Sequence, residues 1–408
     1  MRSPDDRITI LGQTVGRQPY RTFGIRQPDR LFHQYIIGQT GTGKSTLMLN
    51  MIGQDIAQGH GFCLIDPHGD LAETIAGIAG DHAIYWDAAD PASPYGYKPL
   101  TPVSTELRPL VASSLIDALK KQWSDAWGPG MEHLLRYALL ALLERPDATL
   151  EDILPLFLET DFRKQVVAGV TDEAVRRFWT TEFPKMNYKT TLDGVAPIAN
   201  KLGAFLAHPV VKTAVCAPAA PLRFRRIMDE GQMLIINLAK GRLGADISNL
   251  LGGLVVSMLA YAAYSRQQSP EAERRAFFLY IDEFHAFTTE AFADILSGLR
   301  KYGLGVILAH QHTSQLDRTV LDAILGNVGT WIVFRVGASD ASLLAKQLAG
   351  DRTDARDLIN LPNHEVFVKL MIDGQQGRVF SAQSSAPRWS QKRILIDVGR
   401  PSSHKMCD

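Results

Sequence analysis

The chain has 408 residues, 46% apolar and 21% charged, the balance of a soluble globular protein of two or three domains. Lys and Arg number 43, as do Asp and Glu, which excludes a uniformly basic nucleic-acid coat but allows a local basic surface. The three cysteines, Cys63, Cys216 and Cys407, have no paired spacing, so neither a disulfide framework nor a zinc knuckle is expected.

In chain order, Ile8–Leu11 and Thr22–Ile25 read as short strands, and His33–Ile37 as a compact buried one. A glycine-rich loop follows, then a helix over Ser45–Gln58 that Gly59 and Gly61 stop. Phe62–Asp66 is a second buried strand, Leu71–Ala79 a helix and Ala83–Trp86 a third strand. Strands alternating with helices predict a mainly parallel sheet covered on both faces. From residue 101 to 225 strand character gives way to helical periods: Leu107–Lys121, Met131–Leu143, Ile153–Leu158 behind a Thr149–Asp152 capping box, and Asp172–Phe178. Alternation resumes with the strand Met233–Asn237 and the long helix Asp246–Gln267. Next come the strand Phe277–Ile281, the helix Glu290–Arg300 and the strand Gly305–Ala309. A helix near Val320–Leu325, the strand Thr330–Arg335 and the helix Asp340–Leu348 follow. Val366–Ile372 and Arg378–Phe380 form a closing hairpin turning at Asp373-Gly374. The division expected is an α/β domain begun by residues 1–100 and completed by 226–385, an all-α insertion over 101–225, and a polar tail over 386–408. The polar start Met1–Arg7 leads into no apolar leader. The most apolar run, Leu250–Tyr264, falls short of the ~20 residues of a membrane span and reads as a core helix, so a cytoplasmic protein is expected.

Gly38-Gln39-Thr40-Gly41-Thr42-Gly43-Lys44-Ser45 fits the phosphate-binding loop G-x-x-x-x-G-K-[ST], followed by Thr46 on the helix. Its glycines let backbone N–H groups turn inward around a phosphate, Lys44 reaches the β- and γ-phosphates of ATP, and the Ser45 hydroxyl ligates Mg²⁺. A buried strand ends at Asp282-Glu283, where Asp282 would hold the Mg²⁺ water shell and Glu283 would polarise the attacking water. Gln311 ends the next strand, suited to touching the γ-phosphate. His310 and His312 alternate with it but lack a third metal ligand nearby. Asp66 ends a strand expected next to the phosphate loop, either contacting water or metal or capping its turn. Arg300 ends the helix after the acidic pair, either capping that helix or reaching a neighbouring subunit's nucleotide, and Arg335 is a second candidate for that charge.

The phosphate loop, Ile65-Asp66-Pro67-His68-Gly69-Asp70-Leu71, Ile281-Asp282-Glu283 and Gln311, in that order around a helical insertion, resemble the HerA–FtsK superfamily. Over residues 8–385 the chain is most similar to the ATPase domain of conjugative coupling proteins, the TraD/TraG type of type IV secretion systems. The resemblance implies a RecA-like ATPase forming a hexameric ring that moves DNA, or a DNA–protein conjugate, through its centre. It also implies that Arg300 acts on the neighbouring subunit and that the insertion is the all-α domain at the cytoplasmic mouth. The membrane helices usual at the N-terminus of that family have no counterpart in this sequence, so either a partner supplies an anchor to the inner membrane or the chain is a soluble relative working elsewhere. A secretion or assembly ATPase that remodels protein without holding DNA is the alternative, favoured by the neutral charge. Arg223-Phe224-Arg225-Arg226, Lys120-Lys121 and Arg274-Arg275 are the local basic groups that favour DNA. A nucleotide-binding scaffold that hydrolyses slowly or not at all is disfavoured by the intact Lys44, Asp282 and Glu283.

Overall fold

The computed structural model describes residues 7–15, 19–186, 188–348 and 354–385. The polar tail expected over 386–408, Cys407 included, lies outside them. The strands in chain order are β1 (Ile8–Thr14), β2 (Thr22–Arg26), β3 (Gln34–Ile37), β4 (Gly61–Asp66), β5 (Ala83–Asp87), β6 (Tyr95–Gly96), β7 (Ala220–Pro221), β8 (Met233–Asn237), β9 (Phe277–Ile281), β10 (Leu304–His310), β11 (Thr330–Val333), β12 (Glu365–Lys369), β13 (Met371–Ile372), β14 (Gln375–Gln376) and β15 (Phe380–Ser384). Eleven of them form one sheet in the order β2-β1-β15-β12-β11-β3-β10-β9-β4-β8-β5. From β11 to β5 every pairing is parallel. An antiparallel extension, β12-β15-β1-β2, completes the other side.

The central strands are apolar throughout because both their faces are covered, and every residue of β3, β4, β9 and β10 is buried. On one face the helix Lys44–Gln58 lays down Leu47, Met48, Met51, Ile52 and Ile56, spaced to keep one helical stripe on the sheet. Its first residue is Lys44, one earlier than the sequence suggested, and Gly59 ends it in the left-handed region at φ 69°. On the other face lies the helix Ala245–Tyr264, buried along most of its length. Among the described residues it belongs to the one helix, Ala245–Gln268, apolar and long enough to cross a membrane, but 78% of its most apolar window is inside the protein.

Between β6 and β7 the chain is helical. The capping box at Thr149 is present, with the Thr149 N–H on Asp152 Oδ2 at 2.7 Å. The helices Tyr188–Leu206 and Pro209–Cys216 carry no boundary signal that the sequence reading used. β6 and β7 pair in parallel, bringing the two ends of this segment together at Gly96 and Pro221. Its first helix, Arg108–Gln122, packs along Ala245–Tyr264 and shares the core under the sheet.

The closing hairpin differs from expectation. β12 pairs with β15, and the turn at Asp373-Gly374, both at positive φ, belongs to the small hairpin of β13 and β14. Strand character resumes at Phe380 rather than at Arg378, so the long pair lies further along the chain.

Candidate active site

Parallel strands release their loops at one edge, and five loops meet there. The sheet order corrects the expected neighbourhood: the flanking strands of β3 are β11 and β10, β9 lies beyond β10, and β4 beyond β9. Asp66 therefore stands three strands from the phosphate-loop strand, not beside it. Its carboxylate accepts from the backbone N–H groups of His68 and Ala72, both at 2.9 Å, which fixes the turn into the helix Asp70–Ala79.

The phosphate loop is tied down from both sides. Gly38 N–H donates to the His310 carbonyl at 3.3 Å and Gln39 N–H to the Arg335 carbonyl at 2.8 Å. Thr42 Oγ1 donates to the Gln39 carbonyl at 2.7 Å, and the Thr42 carbonyl accepts from His364 N–H at 2.8 Å. Gly43 has φ 121°, and a Cβ there would lie 2.8 Å from His364 Nδ1, so glycine is required on two counts. Lys44 Nζ donates to the carbonyls of Gly38 and Gln39 at 2.6 and 3.2 Å, lying across the loop it serves. Burial holds its pKa below the ordinary value, against the pull of Glu283 and Asp282. Thr40, Gly41 and Ser45 are exposed, and Thr46 is half-buried.

Asp282 is buried, and burial, reinforced by the charges of Glu283 and Asp66, pushes its pKa up to about 7. A carboxyl so short of positive charge, with the open Ser45 hydroxyl on the phosphate-loop helix, fits a divalent cation. Glu283 turns at φ 47°, a left-handed conformation that costs a non-glycine residue of order 1 kcal/mol or more and separates it sharply from Asp282. Its Oε1 accepts from Gln311 Nε2 at 2.6 Å. Gln311 Oε1 in turn accepts from Thr40 Oγ1 at 2.8 Å. Thus Thr40, Gln311 and Glu283 form one continuous hydrogen-bonded chain from the phosphate loop to the acidic pair. The other carboxylate oxygen, Oε2, lies 3.4 Å from His285 Nδ1.

The two histidines around Gln311 part company. His310 turns into the core, 2.5 Å from the Tyr35 hydroxyl, while His312 Nδ1 lies 3.4 Å from Asp340 on the loop's outer side. Arg335 stands over its own phosphate loop, donating to Gln39 Oε1 and the Leu361 carbonyl at 3.3 and 3.2 Å. Arg300 is at the opposite edge. It precedes β10 while Gln311 follows it, so about 20 Å of strand separates it from its own phosphate loop. There its exposed guanidinium sits 3.7 Å over the Phe32 ring.

Of the basic groups expected to favour DNA, most have partners in the chain. Arg225 pairs with Asp229 and Arg226 with Glu230. Arg274 donates to the carbonyls of Arg266, Ser269 and Lys301, and Arg275 to those of Glu230 and Gly59. Sequence reasoning missed His285, two residues after Glu283 on the same turn, and His364, which reaches the phosphate loop only through tertiary packing.

A phosphate loop at the edge of a mainly parallel sheet, with an acidic pair two strands away and a glutamine between, defines a RecA-like P-loop nucleotide-binding protein. Residues 228–370 match the family described as the type IV secretion-system coupling protein DNA-binding domain. The fold is that of the bacterial conjugative coupling protein TrwB: its unbound form superposes with a TM-score of 0.63 at 18% identity, over 90% of this chain and 88% of that one. TrwB in complex with ADP and Mg²⁺ gives 0.64 at 18% identity, over 91% and 89%. VirB4 of Thermoanaerobacter pseudethanolicus gives 0.60 at 14%, over 93% and 96%. No curated protein matches the chain by sequence.

Proposed function

We propose that this chain is an ATP-hydrolysing ring motor that moves DNA, or a DNA–protein conjugate, in a conjugative type IV secretion apparatus. The observation that carries the reading is the hydrogen-bonded chain from Thr40 through Gln311 to Glu283. It makes the orientation of the acidic pair answerable to what the phosphate loop holds, as a motor requires. The match of residues 228–370 to a coupling-protein domain supports the DNA substrate.

In this reading the backbone of Gly38–Gly43 and the side chains of Lys44, Ser45 and Thr46 hold the ATP phosphates. Ser45, and Asp282 through water, hold Mg²⁺, whose charge neutralises the phosphate oxygens. TrwB has been captured with ADP and Mg²⁺, which supports the same cofactors here. Glu283 accepts the proton of the attacking water, Gln311 orients toward the γ-phosphate, and Arg335 steadies the loop through Gln39. Arg300, too far from its own nucleotide, serves the neighbouring subunit's in a hexameric ring. The motor works in the cytoplasm.

ATPase rate with and without single- and double-stranded DNA, at low salt, tests the substrate. Stimulation by either is expected. A rate unmoved by both favours a secretion ATPase that works on protein, consistent with a net charge of zero.

A further inference from the structure

Helix Arg108–Gln122 opens the helical segment, yet its last turn ends against the active-site loops. Lys121 Nζ donates to the His285 carbonyl at 2.9 Å and to the Thr288 carbonyl. Gln122 Nε2 approaches the Ala286 carbonyl at 3.4 Å. These three carbonyls belong to the short turn that follows Glu283. The same ammonium lies 4.0 Å from Asp317 Oδ2, on the loop that follows Gln311. Lys121 therefore spans both loops that hold the hydrogen-bonded pair Gln311 and Glu283.

The turn it grips is built to transmit position. Phe284 and Phe287 are buried, with Phe287 packed against Gly252 so closely that a Cβ there would lie 2.3 Å from the ring. Between them the half-buried His285 brings Nδ1 to 3.4 Å from Glu283 Oε2, close but without a hydrogen bond. The backbone of His285 is thus fixed by Lys121, and its ring lies beside the carboxylate oxygen that Gln311 leaves free. Burial lowers the pKa of Lys121 against the pull of Asp317, and the two carbonyls it donates to replace part of the water it gives up.

We infer that Lys121 is a positioning residue for ATP hydrolysis: it couples the helical insertion to Glu283 through the turn Phe284–Thr288 and the His285 ring. This rests on the reading of Glu283 as the general base. Displacing helix Arg108–Gln122 then alters hydrolysis without touching the phosphate loop, so an occupant of the insertion can set the rate.

The test is steady-state ATPase kinetics of the full chain, with nucleotide affinity measured separately by a fluorescent ATP analogue. Lys121→Met should lower kcat at least tenfold, leaving KM and nucleotide affinity within twofold. Lys121→Arg, which can still donate to two carbonyls, should recover most of the loss. His285→Phe, which keeps a ring and loses its nitrogens, should also lower kcat at constant KM, and it decides the matter if Lys121→Met does not fold. Wild-type kcat in Lys121→Met or in His285→Phe overturns the inference. So does a loss shared by kcat and nucleotide affinity that arginine does not rescue. Glu283→Gln run alongside separates the two failures: if it retains turnover, the general-base reading falls, whereas an inactive Glu283→Gln beside an active Lys121→Met removes only the coupling.

Discussion

Gln311 donates to Glu283 across the ends of two adjoining strands, at 2.6 Å, and does so with its own carbonyl oxygen held by Thr40. A primary amide has one acceptor and two donors to distribute, and here one face is turned to the phosphate loop and the other to the base. A phosphate arriving at Thr40 competes for the first of these bonds and thereby shifts the second. Gln311→Ala should bind ATP with unchanged affinity and hydrolyse it roughly a hundredfold more slowly. Thr40→Val, which removes only the upstream hydroxyl, should lose less. Equal losses in the two would break the proposed order of action. Single-turnover measurements separate these effects on the chemical step from effects on product release.

Lys44→Ala should abolish productive ATP binding, because it removes the only side-chain cation of the phosphate loop. Glu283→Gln should bind ATP normally yet turn over at least a hundredfold more slowly, the range for loss of a general base. Equilibrium binding and turnover, measured on both variants, distinguish a binding from a chemical defect. Near wild-type turnover in Glu283→Gln would place the base elsewhere. Asp66 is a poor substitute, with both carboxylate oxygens engaged by backbone amides.

Arg300 stands at the wrong edge of the sheet to serve its own nucleotide, so its effect should require a neighbour. Arg300→Ala should fold and bind ATP, losing a surface stacking contact with Phe32 worth about 0.5–1 kcal/mol. Its turnover should fall by roughly three orders of magnitude or more. Glu283→Gln subunits retain the arginine and Arg300→Ala subunits retain the base. Mixing the two inactive variants should therefore restore ATPase activity in rings that contain both. If rings shown by mass to be mixed stay inactive, Arg300 does not act across the interface.

His33 predicts an acid sensitivity. Its Nε2 lies 2.9 Å from the Leu296 carbonyl and its Nδ1 accepts from Val306 N–H at 3.2 Å, an arrangement that requires the neutral ring. Burial pushes its pKa down to about 4, with a smaller push from Arg300. The native state therefore binds fewer protons than the unfolded chain between pH 6.5 and 4, and stability falls as pH falls through that window. The slope approaches about 1.4 kcal/mol per pH unit from this one group. Denaturant unfolding at pH 7.0, 6.0 and 5.0 should show it. His33→Gln, which can supply both a donor and an acceptor without titrating, should flatten the slope.

Much of the site was legible because its chemistry is local in sequence: the phosphate loop is contiguous, and Asp282-Glu283 and Gln311 each end a recognisably apolar strand. The order of the strands was not. β3, β4, β9 and β10 are all continuous apolar runs buried on both faces, and nothing in such a run says which neighbour it takes. The misplacement of Asp66 beside the phosphate loop follows from that. Lys121 was illegible for a different reason. A lysine in a Lys-Lys pair at a helix end reads as a solvated cation, and only packing against Ala245–Tyr264 carries it onto the turn after Glu283.

The interleaving of the sheet has a consequence for synthesis on the ribosome. Among β3, β4 and β5, the parallel strands made first, no two are neighbours: β10 and β9 separate β3 from β4, and β8 separates β4 from β5. Each of these early apolar strands waits for partners encoded beyond the helical insertion, so no emerging N-terminal fragment can complete this parallel sheet. Such long-range pairing makes folding slow and leaves adhesive strand edges exposed during elongation. A premature stop within the insertion, before β8, β9 and β10 emerge, should therefore yield aggregate rather than half a folded sheet.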